Sequence, residues 1–394
     1  MYKLSKALFA LFMINYIWFS RAFSIPSWTN YILIVGFTVT GVLSSGDFFN
    51  QKKVFLKLNK YFMYWSVFVI YVLVSGIVVA KNYSIVLNQV SFLLVVLLVL
   101  LYVGFIAETE GTLRFFYQVF MVIAAIYTLS LLRNGVMNSR SGRLYLSETS
   151  NPNSDGIVLA FGVYSTLKLI DLKKPANLVP LLALSVVEFY GIFLTGSRKA
   201  LILAAVFFVF SLLRTWNRRK ELSDSTKIFL GLVFIVIIAF GVLWMLPAYM
   251  SSSAFSRMQD ADVGINDRWD IAIDALRVFS QHPFFGVGIN NYKLYSSYGL
   301  YAHSTIPELL SGTGIIGTIL FFIPYFSVFY SLLKKNMAGI DRAEIWGLLL
   351  CIMAISFVLI IPYGMPLSFF SILLFFQTDL AIKKAADENQ SSGN

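Results

Sequence analysis

Two stretches of this 394-residue chain, Ser91–Phe105 and Phe229–Leu246, run without a single charged side chain. Each approaches the roughly 20 apolar residues that cross about 30 Å of hydrocarbon. Lipid offers no hydrogen-bond partner to a backbone N–H or C=O, so a spanning element must be a helix or a strand of a closed barrel. These runs are continuously apolar rather than alternating, which excludes the barrel pattern. Composition agrees. The chain is 58% hydrophobic and 13% charged, against roughly 25% charged in soluble domains. So few charges cannot cover that much apolar surface in water. The expected fold class is all-α, a polytopic transmembrane helical bundle.

Apolar windows predict about 12 spans, at 5–20, 29–45, 61–80, 84–106, 115–133, 154–171, 176–194, 198–215, 228–248, 306–333, 343–361 and 364–381. The first follows Lys3 and Lys6 as a signal peptide would. It ends in Trp18-Phe19-Ser20-Arg21 with no small-residue cleavage site, so it reads as a retained anchor. Pro362 and Pro366 mark either a tight external turn or a broken helix. Cys351 is the sole cysteine and forms no internal disulfide. With the N-terminus in the cytoplasm, 20 of the 31 Lys and Arg residues fall on the cytoplasmic side, although the outside holds the longest loop. The expected topology is therefore N-in, C-in. Residues 1–248 carry helices 1–9, and 249–305 form a large external loop with short amphipathic helices. Residues 306–381 carry helices 10–12, and 382–394 form a polar cytoplasmic tail. The formal charge of +11 reflects this bias and attraction to membrane lipids, with no nucleic-acid partner implied.

The kind of cation also differs by side. Cytoplasmic segments hold 15 Lys and 5 Arg; external ones hold Lys81, Lys199 and Lys293 but eight Arg, namely 21, 133, 140, 143, 198, 257, 268 and 277. Lysine suits a solvated anchor, whereas the guanidinium fork suits bidentate binding of phosphate. Either these arginines pair with Asp and Glu, or they serve an external anionic ligand.

Three external segments could carry chemistry. In Thr195-Gly196-Ser197-Arg198-Lys199-Ala200, Thr195 or Ser197 can cap the eighth span, leaving Arg198 beside an anion-favouring helix N-terminus; a snorkelling Arg–Lys pair is the plainer reading. Asn266-Asp267-Arg268-Trp269-Asp270 opens a helix to about Ser280, with Asn266 or Asp267 as its cap. Its stripe of Trp269, Ile273, Leu276 and Ser280 should lie on the membrane surface or pack on the bundle. The aspartates from 260 to 274 lack the rest of a calcium loop, so no metal is expected. His282-Pro283-Phe284-Phe285-Gly286-Val287-Gly288 and then His303-Ser304 hold the chain's two histidines. His282 reads as a turn residue, whereas His303, where the loop re-enters the membrane, can take a proton from a hydroxyl at neutral pH or be merely structural. Glu188 is the one carboxylate well inside a span. Such groups are usually paired, and Arg198 across the turn is its expected partner.

Taken in order, these segments resemble the O-antigen polymerase and O-antigen ligase superfamily of bacterial membrane glycosyltransferases. The likeness rests on Asn151-Pro152-Asn153, Ser197-Arg198-Lys199-Ala200, Arg268-Trp269, His282 to Gly288, and His303 followed by Glu308 to Gly317. The chain departs from the family pattern at Ser304, where Asn is common, and at Gly312, where an acid is frequent; Ser304 retains the ability to hydrogen-bond His303. The resemblance implies a multi-pass protein of the bacterial cytoplasmic membrane with its active site on the external face. Its substrate would be a polyprenyl-pyrophosphate-linked oligosaccharide, with a chain-length regulator and a flippase as partners and no cofactor. Arg198 and Arg268 would clamp the pyrophosphate, with Lys199, Arg277 and Trp269 as further binding residues. His303 would orient or deprotonate the acceptor hydroxyl, with Glu188, Ser304 and His282 in support.

The readings that compete are a ligase, which uses a different acceptor, and a transporter or flippase. The latter calls for midplane ionisable residues, broken paired helices and an internal repeat. A non-enzymatic scaffold would not need arginines and His303 on one face. With no dedicated acceptor-binding domain in the sequence, polymerase is the favoured activity.

Overall fold

A computed structural model describes residues 2–19, 28–44, 60–106, 110–138, 143–147, 150–170, 175–217, 261–334 and 339–392, with isolated residues between them. Among the described residues the protein is all-α but for one short hairpin. The helices are α1 Tyr2–Ile14, which continues as a π-helical turn Asn15–Phe19, then α2 Trp28–Ser44, α3 Lys60–Val79, α4 Tyr83–Ile106 and α5 Glu110–Asn134. Strands β1 Val136–Asn138 and β2 Arg143–Tyr145 pair antiparallel, Met137 opposite Leu144. There follow α6 Pro152–Leu169, α7 Pro175–Thr195, α8 Arg198–Asn217, α9 Ala261–Gln281, α10 Thr305–Leu333, α11 Gly339–Ser356 and α12 Met365–Ser392.

Every expected span but the ninth coincides with a described helix; 228–248 lies largely outside the described residues, as do 139–142 and most of 249–260. Six of the described helices are long and apolar enough to cross a membrane: α3, α4, α5, α7, α10 and α12, with α2 a shorter apolar helix. Pro362 lies in a 3₁₀ turn, Ile361–Tyr363, and Pro366 in the first turn of α12, where its missing N–H costs nothing. The tail expected to be merely polar instead prolongs α12 to Ser392. Its Ala, Lys and Glu residues are strong helix formers, and Lys383 pairs with Asp379 one turn earlier at 3.6 Å.

The chain forms two compact units. One comprises residues 1–12, 28–112 and 263–394. Its helices pack through interleaved rings: Phe9 stacks on Tyr102 at 5.1 Å, Trp65 and Phe68 meet Phe321 edge-on at 5.6 and 5.4 Å, and Tyr61 stacks on Phe375 at 4.5 Å. The other comprises 13–27 and 113–262. Helix α6 is its centre, buried along nearly its whole length against α7 and α8. Its Asp155, Ser165 and Thr166 therefore meet protein rather than lipid, which is where polar groups are tolerated in such a bundle.

Helix α10 is broken. Gly314 has φ 66 and ψ −173, which interrupts the helical ladder. The freed backbone groups find partners in the turn after α9 and in α3. The Ile315 N–H donates to the Pro283 carbonyl at 2.8 Å and the Val287 N–H to the Ser311 carbonyl at 2.9 Å. The Tyr71 hydroxyl donates to the Thr313 carbonyl at 2.8 Å. Backbone at such a break must be satisfied by protein, and here it is.

Candidate functional site

The residues expected to act fall into both units. In the second unit they lie at the α7–α8 turn. Gly196 adopts φ 58, a left-handed conformation that costs glycine little, and its N–H closes α7 on the Phe193 carbonyl at 2.9 Å. Ser197 then caps α8: its Oγ accepts the Ala200 N–H at 3.4 Å, the bond expected of an N-cap serine. Thr195 serves the preceding helix instead, donating to the Ile192 carbonyl at 2.7 Å. Arg198 thus occupies the first position of a capped helix. It is exposed and makes no ion pair or side-chain hydrogen bond among the described residues. Lys199 beside it is half-buried.

Neighbouring polar groups hold that turn. Arg143 donates to the Thr195 carbonyl and to Asn153 Oδ1, both at 2.8 Å. Asn151 caps α6 by accepting the Asn153 N–H at 2.9 Å, with Pro152 in the first turn. Buried Asp155 accepts from the Tyr127 hydroxyl at 2.5 Å, the Ser150 hydroxyl at 2.9 Å and the Leu146 N–H at 3.4 Å. Sequence reading passed over Asp155; its signal was a carboxylate in the first turn of an otherwise apolar helix. Arg143, one of the eight arginines offered for an external anion, is engaged in building the turn.

The expected Glu188–Arg198 pair does not form. Glu188 is fully buried and accepts from the Thr166 hydroxyl at 2.9 and 3.2 Å, while Arg198 is exposed. A side chain in the middle of the α6–α7 packing is reached more easily by the adjacent threonine than by a guanidinium at the helix end.

In the first unit the expected residues lie on α9 and the segment that follows it. This helix starts at Ala261, five residues before the expected cap, so Asn266 and Asp267 lie within it. Of the two placements expected for the Trp269 stripe, packing on the bundle does not occur, and the face packed against protein is another one. Ile271, Ala275 and Val278 pack with Val287, Tyr292 and Ala302, whereas Trp269, Ile273 and Leu276 are exposed. Asp274 accompanies the buried stripe because its charge is satisfied. It accepts from Arg277 at 2.7 and 3.2 Å, from the Tyr292 hydroxyl at 3.0 Å and from Ser297 at 3.3 Å. Burial pushes its pKa up, but these donors outweigh that and hold it below the usual carboxylate value. Burial and the adjacent Asp274 push the Tyr292 hydroxyl up, so it remains a donor. Arg277 is thereby committed, whereas Arg268 is exposed with no ion pair or side-chain hydrogen bond among the described residues.

His282 ends α9, its N–H bonded to the Phe279 carbonyl at 3.0 Å and its exposed ring edge-on to Tyr295 at 5.9 Å. This is the turn role expected of it. His303 is half-buried, 4.3 Å from the Tyr301 ring between centroids, in the left-handed region at φ 56. Ser304 stands at the N-cap position of α10 without a side-chain cap bond and donates its one hydroxyl proton to the Ser356 carbonyl at 3.2 Å, so that proton is not offered to His303. Glu308, read in the sequence only as part of a motif, is buried in the first turn of α10. It accepts the Ala302 N–H at 2.7 Å and the Tyr363 hydroxyl at 2.8 Å.

No curated protein matches the chain. A protein-family model does: that described as O-antigen ligase covers residues 181–322, an interval holding Glu188, Arg198, Lys199, Arg268, Trp269, Arg277, His282, His303 and Ser304. This match, over about a third of the chain, supports the likeness to the O-antigen polymerase and ligase superfamily.

Proposed function

We propose that this protein is a membrane polymerase of polyprenyl-pyrophosphate-linked oligosaccharide repeat units, acting on the outer face of the bacterial cytoplasmic membrane. The observation that carries the reading is the state of two arginines inside the O-antigen ligase interval. Arg198 at a capped helix N-terminus and Arg268 on α9 are both exposed and without an anionic partner among the described residues. A guanidinium fork of this kind binds phosphate oxygens in pairs.

In the reaction, the acceptor sugar hydroxyl attacks the anomeric carbon of the lipid-linked glycan. The bond from that carbon to the phosphate oxygen breaks, and polyprenyl pyrophosphate departs with the electron pair. Arg198 and Arg268 stabilise the negative charge that grows on the leaving group, typically a large catalytic contribution. His303 takes the hydroxyl proton. Lys199 and Trp269 serve as further binding residues, and Arg277, fixed by Asp274, holds the shape of α9. A chain-length regulator and a flippase are the partners such an activity calls for.

The description of the matching family favours a second reading, a ligase that passes the glycan to a lipid core or other acceptor. Purified protein supplied with defined lipid-linked repeat units separates the two. A ladder of products supports polymerase; transfer only when a different acceptor is added overturns it in favour of ligase.

A further inference from the structure

Among the described residues, two that are not glycine hold left-handed backbone conformations, Asn290 at φ 58 and His303 at φ 56. Residues other than glycine persist there only when their surroundings over-determine them. Both are tied to the same carboxylate–phenol pair. The Asn290 N–H donates to the Tyr363 hydroxyl at 2.8 Å, and that hydroxyl donates to Glu308 Oε1 at 2.8 Å. The other carboxylate oxygen, Oε2, accepts the N–H of Ala302, the residue before His303, at 2.7 Å. On the far side of His303, Ser304 donates to the Ser356 carbonyl at 3.2 Å. Thr305 Oγ1 donates to the Leu359 carbonyl at 2.6 Å and accepts the Ile361 N–H at 3.0 Å. The backbone on both flanks of His303 is thus tied to the end of α11 and the segment after it, through Glu308 on one side and directly on the other.

We propose that Glu308 and Tyr363 are positioning residues: as a pair of a buried carboxylate and a half-buried phenol they set the place and angle of the His303 imidazole against the acceptor hydroxyl. The inference rests on His303 being the base of the glycosyl transfer proposed above. Its chemistry is specific. Both oxygens of Glu308 face donors, and the Tyr363 oxygen already accepts from Asn290 while its proton goes to Glu308. A glutamine at 308 would turn one acceptor into an amide N–H₂ aimed at a donor, so even the isosteric change breaks the pair. Burial, reinforced by the Glu308 carboxylate, holds the Tyr363 hydroxyl well above the usual tyrosine range, so it stays a donor across working pH. Tyr363 lies outside the interval matched by the O-antigen ligase model, so this role adds a residue that the family match does not cover.

The test uses the full-length protein with Glu308→Gln, Tyr363→Phe, their double variant and His303→Ala. Each is purified from membranes and assayed with lipid-linked repeat units across pH. The expected result is a fall in kcat of about 10- to 100-fold in each single variant, the cost of a reacting group misplaced by about an ångström. KM stays within about twofold, the limb of the pH profile belonging to His303 shifts, and the double variant is no worse than the poorer single one, as for residues acting as a unit. A merely architectural pair would lower yield and melting temperature together and leave the pH profile of the surviving enzyme unchanged; that result, or failure of both single variants to accumulate, overturns the proposal. So does wild-type kcat in both singles while His303→Ala is inactive, which leaves the base assignment standing. Activity in His303→Ala overturns the base assignment itself, and the positioning role falls with it.

Discussion

Gly286 and Gly314 interlock backbone against backbone. A Cβ on Gly286 would stand 2.5 Å from the Gly312 carbonyl carbon and 2.6 Å from the Gly314 nitrogen; one on Gly314 would stand 2.2 Å from the Phe284 carbonyl oxygen. Both have left-handed φ, 67 and 66. Alanine at either position meets a rigid main chain and a disfavoured conformation together, a loss of about 2–5 kcal/mol. Gly364→Ala is the control: its φ is −134 and its Cβ would meet nothing within 4 Å, so it should stay within about 0.5 kcal/mol of wild type. Melting in detergent ranks the three. Equal melting temperatures would show that the turn after α9 does not seat in the α10 break.

Asp274 should make this unit acid-sensitive. Its folded pKa lies below the ordinary value of 3.8, so the stabilisation it brings is present above the unfolded pKa and is lost as pH falls through the folded one. Asp274→Asn should therefore flatten the acid limb of a melting-temperature profile below about pH 4. At neutral pH it should cost about 1–3 kcal/mol, because Arg277 loses its ion pair and Tyr292 and Ser297 lose an acceptor. An acid limb unchanged in the variant would assign the sensitivity to another carboxylate.

Most of the helices can be read directly from the sequence, because lipid forces every backbone group into a helix and most solvent-free faces to be apolar. Helix α9 shows where that logic stops. Its two stripes, 269-273-276-280 and 271-274-275-278, both fit helical spacing, and the charge of Asp274 argues against the second. That stripe is nonetheless the buried one, because Arg277 one turn on and Tyr292 beyond the next turn satisfy the carboxylate. The Arg277–Asp274 spacing of i, i+3 was readable in advance; the contribution of Tyr292 was not. The same holds at the candidate site. Arg198, Arg268 and His303 stand in recognisable motifs, whereas the Glu308–Tyr363 bond joins residues 55 apart in sequence, and no local pattern announces it.

Glu188 should tolerate loss of its charge. Its hydrogen-bond partner is the Thr166 hydroxyl, a donor, and a glutamine keeps the accepting oxygen. Glu188→Gln should stay within about 1 kcal/mol of wild type and retain activity. Thr166→Val, which leaves the buried acid without that donor, should cost about 1–3 kcal/mol. Melting and activity measured on both variants decide it. A severe loss in Glu188→Gln with a silent Thr166→Val would restore a cationic partner for the carboxylate.

Arg198 and Arg268 should separate stability from activity. Each is exposed and unpaired among the described residues, so alanine at either position should change stability by no more than about 0.5 kcal/mol and leave protein in the membrane. If they clamp the departing pyrophosphate, kcat should fall by about 100- to 1000-fold in each. Arg198→Lys is the sharper variant. It keeps the charge at the first position of α8 and loses the fork, so an interfacial anchor would survive the change while a bidentate phosphate ligand would not. Chain extension by Arg198→Lys at the wild-type rate would return Arg198 to the role of a snorkelling anchor. Extension by Arg198→Ala, Arg268→Ala and His303→Ala alike would remove the candidate site altogether. Loss in all three, with melting temperatures unchanged, is the expected pattern.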